Sequence, residues 1–189
     1  AIMRVIPNMK VFVPCDAIEA RKATVTAAKI WGPVYLRYGR EKSAVITTEK
    51  TPFTPGKAEI FWQSKKPQAV IIACGILVYN ALLAARDLEK EGIGTIVLNN
   101  HTIKPLDENG ILEAAKKCSA VVTVEEHQIS GGLGSAVAEF LAKKYPVPIE
   151  FIGLHDTFGE SGQPAELLEK YGMGVKNIKA AVEKVIKRK

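Results

Sequence analysis

The stretch AVIIACGILVYNALLAARDLEKEGIGTIVLN, residues 69–99, decides the fold. It opens with a short apolar run (69–74), continues as an amphipathic segment (76–92) and ends in a second apolar run (95–99). Apolar runs of this length predict buried strands, and the segment between them predicts a helix that ends at Gly92. Strand, helix and strand in this order predict two parallel strands joined by a crossover helix.

The same alternation continues to the end of the chain. Further strands are predicted over 120–125 and 149–154, and further helices over 108–118, 134–145, 165–172 and 177–188. Near-continuous apolar strands that alternate with helices are typical of parallel sheets buried on both faces. We therefore predict an α/β fold over residues 67–189, with a mostly parallel sheet and helices on both faces.

A partial α/β unit precedes this domain, over residues 1–48. KVFVP (10–14) predicts a strand, and the helix that follows is predicted over 16–30. Asp16 is its expected N-cap, with Glu19 as the capping-box partner. PVYLRY (33–38) predicts a second strand, parallel to the first.

Residues 49–66 differ in composition from the segments on either side, because they are rich in Pro, Thr and Lys. This composition predicts a linker between the two units. KAEIFW (57–62) predicts a strand on its far side.

Bulk properties exclude several classes of protein. No apolar run is long enough to span a bilayer, and no leader segment is recognisable. The chain opens with Ala1 in the middle of a pattern, so we expect Ala1 to be an internal residue of a longer protein. The net charge of +6 arises from 26 basic and 20 acidic residues, with much of the excess in 177–189. We interpret that excess as a solvated helix face, since no aromatic residues are interleaved with it as nucleic-acid binding would require. We therefore expect neither a nucleic acid nor a membrane as a partner.

The three cysteines, Cys15, Cys74 and Cys118, are widely separated and show no metal-ligand spacing. We expect reduced, buried thiols in a cytoplasmic protein. Cys74 ends a strand, where a nucleophile could lie, but no base partner is recognisable and the surrounding run is apolar.

Two arginines close the second predicted strand in YLRYGRE (35–41). Ligands of open α/β sheets lie beyond the carboxyl ends of strands, and the guanidinium group suits phosphate or carboxylate. Arg37 and Arg40 are therefore candidates for an anion site. Strand alternation would turn them to opposite faces unless the chain turns at Gly39. Structural ion pairs at the surface are the alternative.

Two further groups of residues invite a functional interpretation. GGLG (131–134), between a strand and a helix, could bind a phosphate, but it lacks both known glycine fingerprints and favours a tight connection. Glu125, Glu126 and His127 could serve acid–base chemistry. Adjacent residues at a strand end point in different directions, so a structural or interface role is favoured.

The remaining histidines favour structural roles. His155 and Asp156 are adjacent, which argues against a catalytic dyad for the same reason. His101 follows a strand in NNHTIKPLD (99–107), where Pro105 and Asp107 are expected to begin the next helix.

Larger blocks of the sequence resemble the transketolase family. PNMKVFVPCDAIEA (7–20) and GPVYLRYGRE (32–41) resemble the last strand–helix–strand unit of its pyrimidine-binding domain. The resemblance to its C-terminal domain lies in ACGILVYNALLAARDLEKEGI (73–93), VLNNHTIKPLDENGI (97–111), VVTVEEHQISGGLGSAVAEFL (121–141) and GESGQPAELLEKYGM (159–173). It assigns residues 1–48 to the end of the pyrimidine-binding domain and 67–189 to the C-terminal domain.

The resemblance also implies a function. Transketolases transfer two-carbon ketol groups between sugar phosphates with thiamine diphosphate and Mg²⁺, and an Arg just after this strand contacts the substrate phosphate. The matching position is Arg40, and its neighbour Arg37 is a weaker candidate. The cofactor motifs of the family are absent from this chain, so we expect no cofactor in it and no activity from it alone. The expected partner is the remainder of a transketolase chain or subunit, in a homodimer.

Other interpretations stay open. The β subunits of 2-oxo acid dehydrogenases and deoxyxylulose-phosphate synthases share some of these elements, although FGESGQPAELLEKYG (158–172) favours transketolase. A subunit-interaction module without chemistry of its own is a further possibility. A free-standing nucleotide-binding domain is disfavoured by the incomplete glycine pattern and the missing acidic residue.

Overall fold

A computed structural model describes residues 1–189. The first unit consists of α1 (Ile2–Val5), β1 (Lys10–Phe12), α2 (Ala17–Ala27) and β2 (Val34–Leu36). β1 and β2 pair in parallel, which confirms the predicted strand–helix–strand unit. The short α1 was not predicted.

Local hydrogen bonds explain the limits of α2. The Asp16 carboxylate accepts a hydrogen bond from Glu19 N at 2.8 Å, which confirms the predicted N-cap. The Glu19 carboxylate reaches back to Cys15 N at 2.7 Å, one residue earlier than in a capping box. The helix ends earlier than predicted because its last turns tighten, with Lys29 N donating to Thr26 O.

The larger unit holds the remaining helices and strands. They are β3 (Glu59–Gln63), β4 (Pro67–Ala73), α3 (Leu77–Lys90), β5 (Gly94–Asn99), β6 (Thr102–Lys104), α4 (Glu108–Cys118), β7 (Val121–Gln128), α5 (Leu133–Lys144), β8 (Ile149–Leu154), α6 (Pro164–Lys170) and α7 (Val175–Ile186). Five strands form one sheet in the order β3-β5-β4-β7-β8. Only β3, at one edge, is antiparallel to its neighbour. This confirms the predicted mostly parallel sheet.

Helices cover both faces of this sheet, as predicted. One apolar cluster includes Ile71 and residues of α3 and α7. The other includes Ile72 and residues of α4 and α5. Successive side chains of β4 therefore enter opposite cores, which explains why its sequence is a continuous apolar run.

A short strand joins the two units. β6 pairs antiparallel with β1, so the smaller sheet has the order β2-β1-β6. β6 was not predicted, because its three residues show no periodicity and their hydrogen-bond partners lie far upstream in the sequence. Just before it, His101 O accepts a hydrogen bond from Val13 N at 2.8 Å. The segment after β5 thus ties the larger sheet to the first unit.

Candidate functional site

A cavity of about 370 Å³ lies at the carboxyl ends of the parallel strands β1 and β2. Its lining includes Asp16 from the start of α2, Gly39 and Glu41 from the segment after β2, and Ile76 from the larger unit. A Cβ atom on Gly39 would lie 2.8 Å from Ile76 Cγ2, so this position requires the close approach that only glycine allows.

Arg40 lies on the rim of this region, between two residues that line the cavity. Its side chain is exposed and forms neither a hydrogen bond nor an ion pair within the chain. A guanidinium group without an internal partner is available to an anion from outside.

Arg37 has a different position and different contacts. Its Nη2 donates to Glu126 O at 2.7 Å, and its Nη1 lies 4.0 Å from Glu126 Oε2. It lines a second, larger cavity of about 480 Å³, which Arg40 does not line. The structure therefore does not bring the two arginines into one cavity.

The larger cavity lies between the first unit and the end of β7. Val11 and Val13 of the first unit contribute apolar lining, and Glu125, Glu126 and His127 line its polar side. β7 runs three residues beyond the predicted end of that strand, which places all three polar residues within it.

Glu125 caps a helix. Its buried carboxylate accepts hydrogen bonds from Leu133 N and Gly134 N, both at 2.8 Å, at the start of α5. Burial raises the pKa of this carboxyl above its ordinary value of 4.5, although the two N–H donors lower it. The N-terminus of α5, which begins within GGLG, is thus occupied by the chain's own carboxylate. A Cβ on Gly132 would overlap that carboxylate, so this segment is a tight strand-to-helix connection.

The neighbours of Glu125 make separate contacts. His127 Nδ1 donates to Gln128 O at 2.7 Å and lies 3.9 Å from Glu125 Oε2. Glu126 faces Arg37. The sequence predicted that the three residues point in different directions, but all three line the larger cavity. The pairing of β7 with β8 shifts register between Val124 and Gln128, so regular strand alternation does not hold there.

The other residues singled out from the sequence make structural contacts, and Cys74 and Asp156 also line the larger cavity. His155 and Asp156 are exposed, and Asp156 N donates to Gln128 Oε1 at 3.0 Å. Cys74 is buried, and burial raises the pKa of its thiol well above the ordinary value. Asp107 caps α4 through Gly110 N at 3.1 Å, which confirms its expected role.

His101 is buried against an aromatic ring. Its ring stacks on Phe53, with centroids 4.2 Å apart, and burial lowers the pKa of the imidazole to about 4. A neutral, packed imidazole of this kind has a structural role and is not suited to proton transfer at neutral pH.

The family model for "Transketolase, C-terminal domain" matches residues 56–178. The chain belongs to this family. A 6-deoxy-6-sulfo-D-fructose transketolase subunit, SqwH, of Clostridium sp. is 44% identical over all of this chain and 58% of its own length. A putative transketolase C-terminal section of Methanocaldococcus jannaschii is 39% identical over all of this chain and 59% of its own length.

A solved structure extends the comparison to three dimensions. A split gene transketolase, described as an inactive beta4 tetramer, superimposes with a TM-score of 0.94 at 45% identity. The match covers 99% of this chain and 61% of that one. The chain therefore spans somewhat more than half the length of these relatives.

The transketolase family implies thiamine diphosphate as the cofactor of the whole enzyme. No cluster of three or more His, Cys, Asp or Glu side chains could hold a metal ion. The N-terminus of α5 is filled by the Glu125 carboxylate. The donor set of this chain does not fit a metal–diphosphate group, and we assign none of its residues to the cofactor.

No helix has the length and apolar character needed to cross a membrane.

Proposed function

We propose that this chain is the C-terminal part of a thiamine-diphosphate-dependent transketolase that transfers two-carbon ketol groups between sugar phosphates. Similarity along the whole chain to a transketolase subunit supports this. In this proposal residues 1–48 end the pyrimidine-binding domain, 49–66 form the linker and 67–189 form the C-terminal domain. The β subunits of 2-oxo acid dehydrogenases and deoxyxylulose-phosphate synthases are not favoured by any structural observation.

Arg40 is the residue of this chain that we assign to the substrate phosphate. The observation that carries the assignment is its exposed, unpaired guanidinium group beside a cavity at the carboxyl ends of β1 and β2. Ligands of open α/β sheets lie at such strand ends. Arg37 is the weaker candidate, because its side chain is already engaged by Glu126.

The rest of the machinery belongs to the partner in this proposal. The remainder of the transketolase supplies the residues that bind thiamine diphosphate and Mg²⁺, and two assembled units form a dimer. The cofactor supplies the carbanion chemistry when it is bound. This chain contributes the phosphate contact and a domain for assembly.

The test compares arginine variants in the assembled enzyme. Arg40→Ala should raise the KM of a phosphorylated aldose acceptor by about 10- to 100-fold, since a hydrogen bond to a charged group contributes about 1.5–3 kcal/mol. The KM of the same acceptor without phosphate should stay unchanged. Arg21→Ala is the matched control, because Arg21 is an exposed arginine of α2 whose partner is Glu49.

Two results would contradict the proposal. One is an equal change for both acceptors in the Arg40 variant. The other is ketol transfer by the purified chain alone, supplied with a ketose phosphate, an aldose phosphate, thiamine diphosphate and Mg²⁺.

A role in assembly alone is the second candidate, and the likeness to a split gene transketolase described as an inactive beta4 tetramer supports it. The arginine variants separate the candidates: if the chain serves assembly alone, Arg40→Ala should change the KM of neither acceptor. Sedimentation of the purified chain tests assembly itself, and a monomer would contradict this candidate.

A further inference from the structure

The segment that carries Arg40 is held at both ends by buried contacts. We call residues 37–47 the Arg40 loop. At its start, Arg37 N donates to Phe12 O at 2.9 Å. At its end, Ile46 N and Thr47 N donate to Asp16 Oδ2 at 2.8 and 2.6 Å. The loop is therefore anchored to the strand before α2 and to the N-cap residue of that helix.

The Asp16 carboxylate makes more hydrogen bonds to the Arg40 loop than the other anchor does. Its Oδ1 accepts hydrogen bonds from the Thr47 hydroxyl and from Glu19 N, both at 2.8 Å. Asp16 and Thr47 are each only 4% exposed. Burial by itself would raise the pKa of Asp16, but the hydrogen bonds outweigh it and hold the pKa below its ordinary value of 3.8. The carboxylate is thus ionised at neutral pH and saturated with donors.

Between its anchors the Arg40 loop has few contacts of its own. The Tyr38 hydroxyl lies 2.5 Å from Thr24 Oγ1, and Gly39 packs against Ile76. Arg40 itself contacts no polar group of the chain. The position of the guanidinium group is consequently set by the contacts of Tyr38 and Gly39 together with the two ends of the loop.

We propose that Asp16 is a positioning residue that holds the Arg40 loop in the conformation that binds the substrate phosphate. The inference rests on the proposed function, in which Arg40 contacts that phosphate. A loop already held in its binding conformation loses less entropy when the ligand binds, so releasing one end weakens phosphate binding.

Asp16 also caps α2, so a test must separate the two roles. Asn is as good an N-cap as Asp, and Asp16→Asn can keep the hydrogen bond from Glu19 N. Its single amide oxygen then leaves an NH₂ group facing the N–H donors of Ile46 and Thr47. The variant therefore retains the cap and the hydrogen bond from the Thr47 hydroxyl, and loses the two backbone hydrogen bonds from Ile46 N and Thr47 N.

Glu19→Gln is the matched control. Glu19 is the other buried acid of α2, and its carboxylate contacts Cys15 N and Asn99 Nδ2, both at 2.7 Å, but not the loop. A general loosening of the helix would affect both variants alike. Only Asp16→Asn should affect the phosphate.

The experiment measures kcat and KM of the assembled transketolase with a phosphorylated and an unphosphorylated acceptor. Asp16→Asn should raise the KM of the phosphorylated acceptor about tenfold, equivalent to about 1.4 kcal/mol. Its kcat and the KM of the unphosphorylated acceptor should stay within about twofold, as should all values for Glu19→Gln. In an Arg40→Ala background, Asp16→Asn should have no further effect. Thr47→Val removes only the hydroxyl donor and should give a smaller change in the same direction.

The outcomes distinguish the inference from the proposed function. If Arg40→Ala weakens phosphate recognition but neither Asp16→Asn nor Thr47→Val does, the inference is overturned and the proposed function stands. If Arg40→Ala has no phosphate-specific effect, both are overturned. Equal effects on the two acceptors, or additive effects of the two substitutions, would show that Asp16 does not act through Arg40.

Discussion

Replacement of Glu125 by alanine tests whether this carboxylate holds the start of α5. The change removes the acceptor of two hydrogen bonds of 2.8 Å, from Leu133 N and Gly134 N. Hydrogen bonds to a charged group contribute about 1.5–3 kcal/mol each, so the gross loss is about 3–6 kcal/mol. Part of it is offset, because a buried carboxylate no longer has to lose its hydration. We expect unfolding free energy to fall by about 2–4 kcal/mol.

Urea unfolding of the purified chain, followed by circular dichroism at neutral pH and one protein concentration, measures this loss. Glu126→Ala is the neighbouring control. Its carboxylate has one ion pair, at 4.0 Å from Arg37, and both side chains are a third or more exposed. Its loss should be at most about 1 kcal/mol. Glu125→Gln keeps one acceptor and should fall between the two.

Equal losses for Glu125→Ala and Glu126→Ala would refute this reasoning. Unchanged hydrogen-exchange protection of the Leu133 and Gly134 amides in Glu125→Ala would refute it as well. Either result would mean that Glu125 is not the acceptor that holds these two amides, and the start of α5 would again be a candidate site for an external anion.

Two further predictions concern contacts between the first unit and the larger unit, one made by Glu19 and the other by Gly39. Burial raises the pKa of the Glu19 carboxyl above its ordinary value of 4.5. The folded chain therefore binds a proton at Glu19 more tightly than the unfolded chain does. The contribution of Glu19 to the free energy of unfolding falls as the pH rises from 4.5 through the raised pKa. Urea unfolding across about pH 4–7.5 gives the unfolding free energies of the wild type and of Glu19→Gln. Their difference should change in favour of the variant as the pH rises, and a difference that does not depend on pH would contradict this. Gly39→Ala should destabilise the chain by about 1–3 kcal/mol, because its Cβ meets Ile76 Cγ2 at 2.8 Å. In a double-mutant cycle, Ile76→Ala should remove the destabilisation caused by Gly39→Ala. Ile76→Val keeps the Cγ2 methyl group and should not remove it. The same coupling free energy for both substitutions would contradict a steric clash with that methyl group.

Local patterns in the sequence were enough to predict most of the fold. The apolar runs that became β4, β5 and β7 predicted buried parallel strands, since residues on both faces of such a sheet must be apolar. Asp16 predicted the start of α2, because an N-cap acts on the next turn of its own helix. The ends of elements were less accurate, as the early end of α2 and the longer β7 show.

The candidate site was predictable only in part. The arginines after β2 were recognisable from residue type and place in the strand pattern. Their separation into different surroundings was not, because Arg37 finds its partner in Glu126, 89 residues away.

The sequence by itself determined the strand–helix alternation, the two-sided burial of the sheet and the caps of α2 and α4, since these depend on neighbours within a few residues. Tertiary structure alone decided the pairing of β6 with β1, the occupation of the α5 N-terminus by Glu125 and the anchoring of the Arg40 loop by Asp16. Each of these joins backbone groups to partners outside the local pattern. A buried N–H or carboxylate must be satisfied, but its sequence neighbours do not specify which distant group will satisfy it.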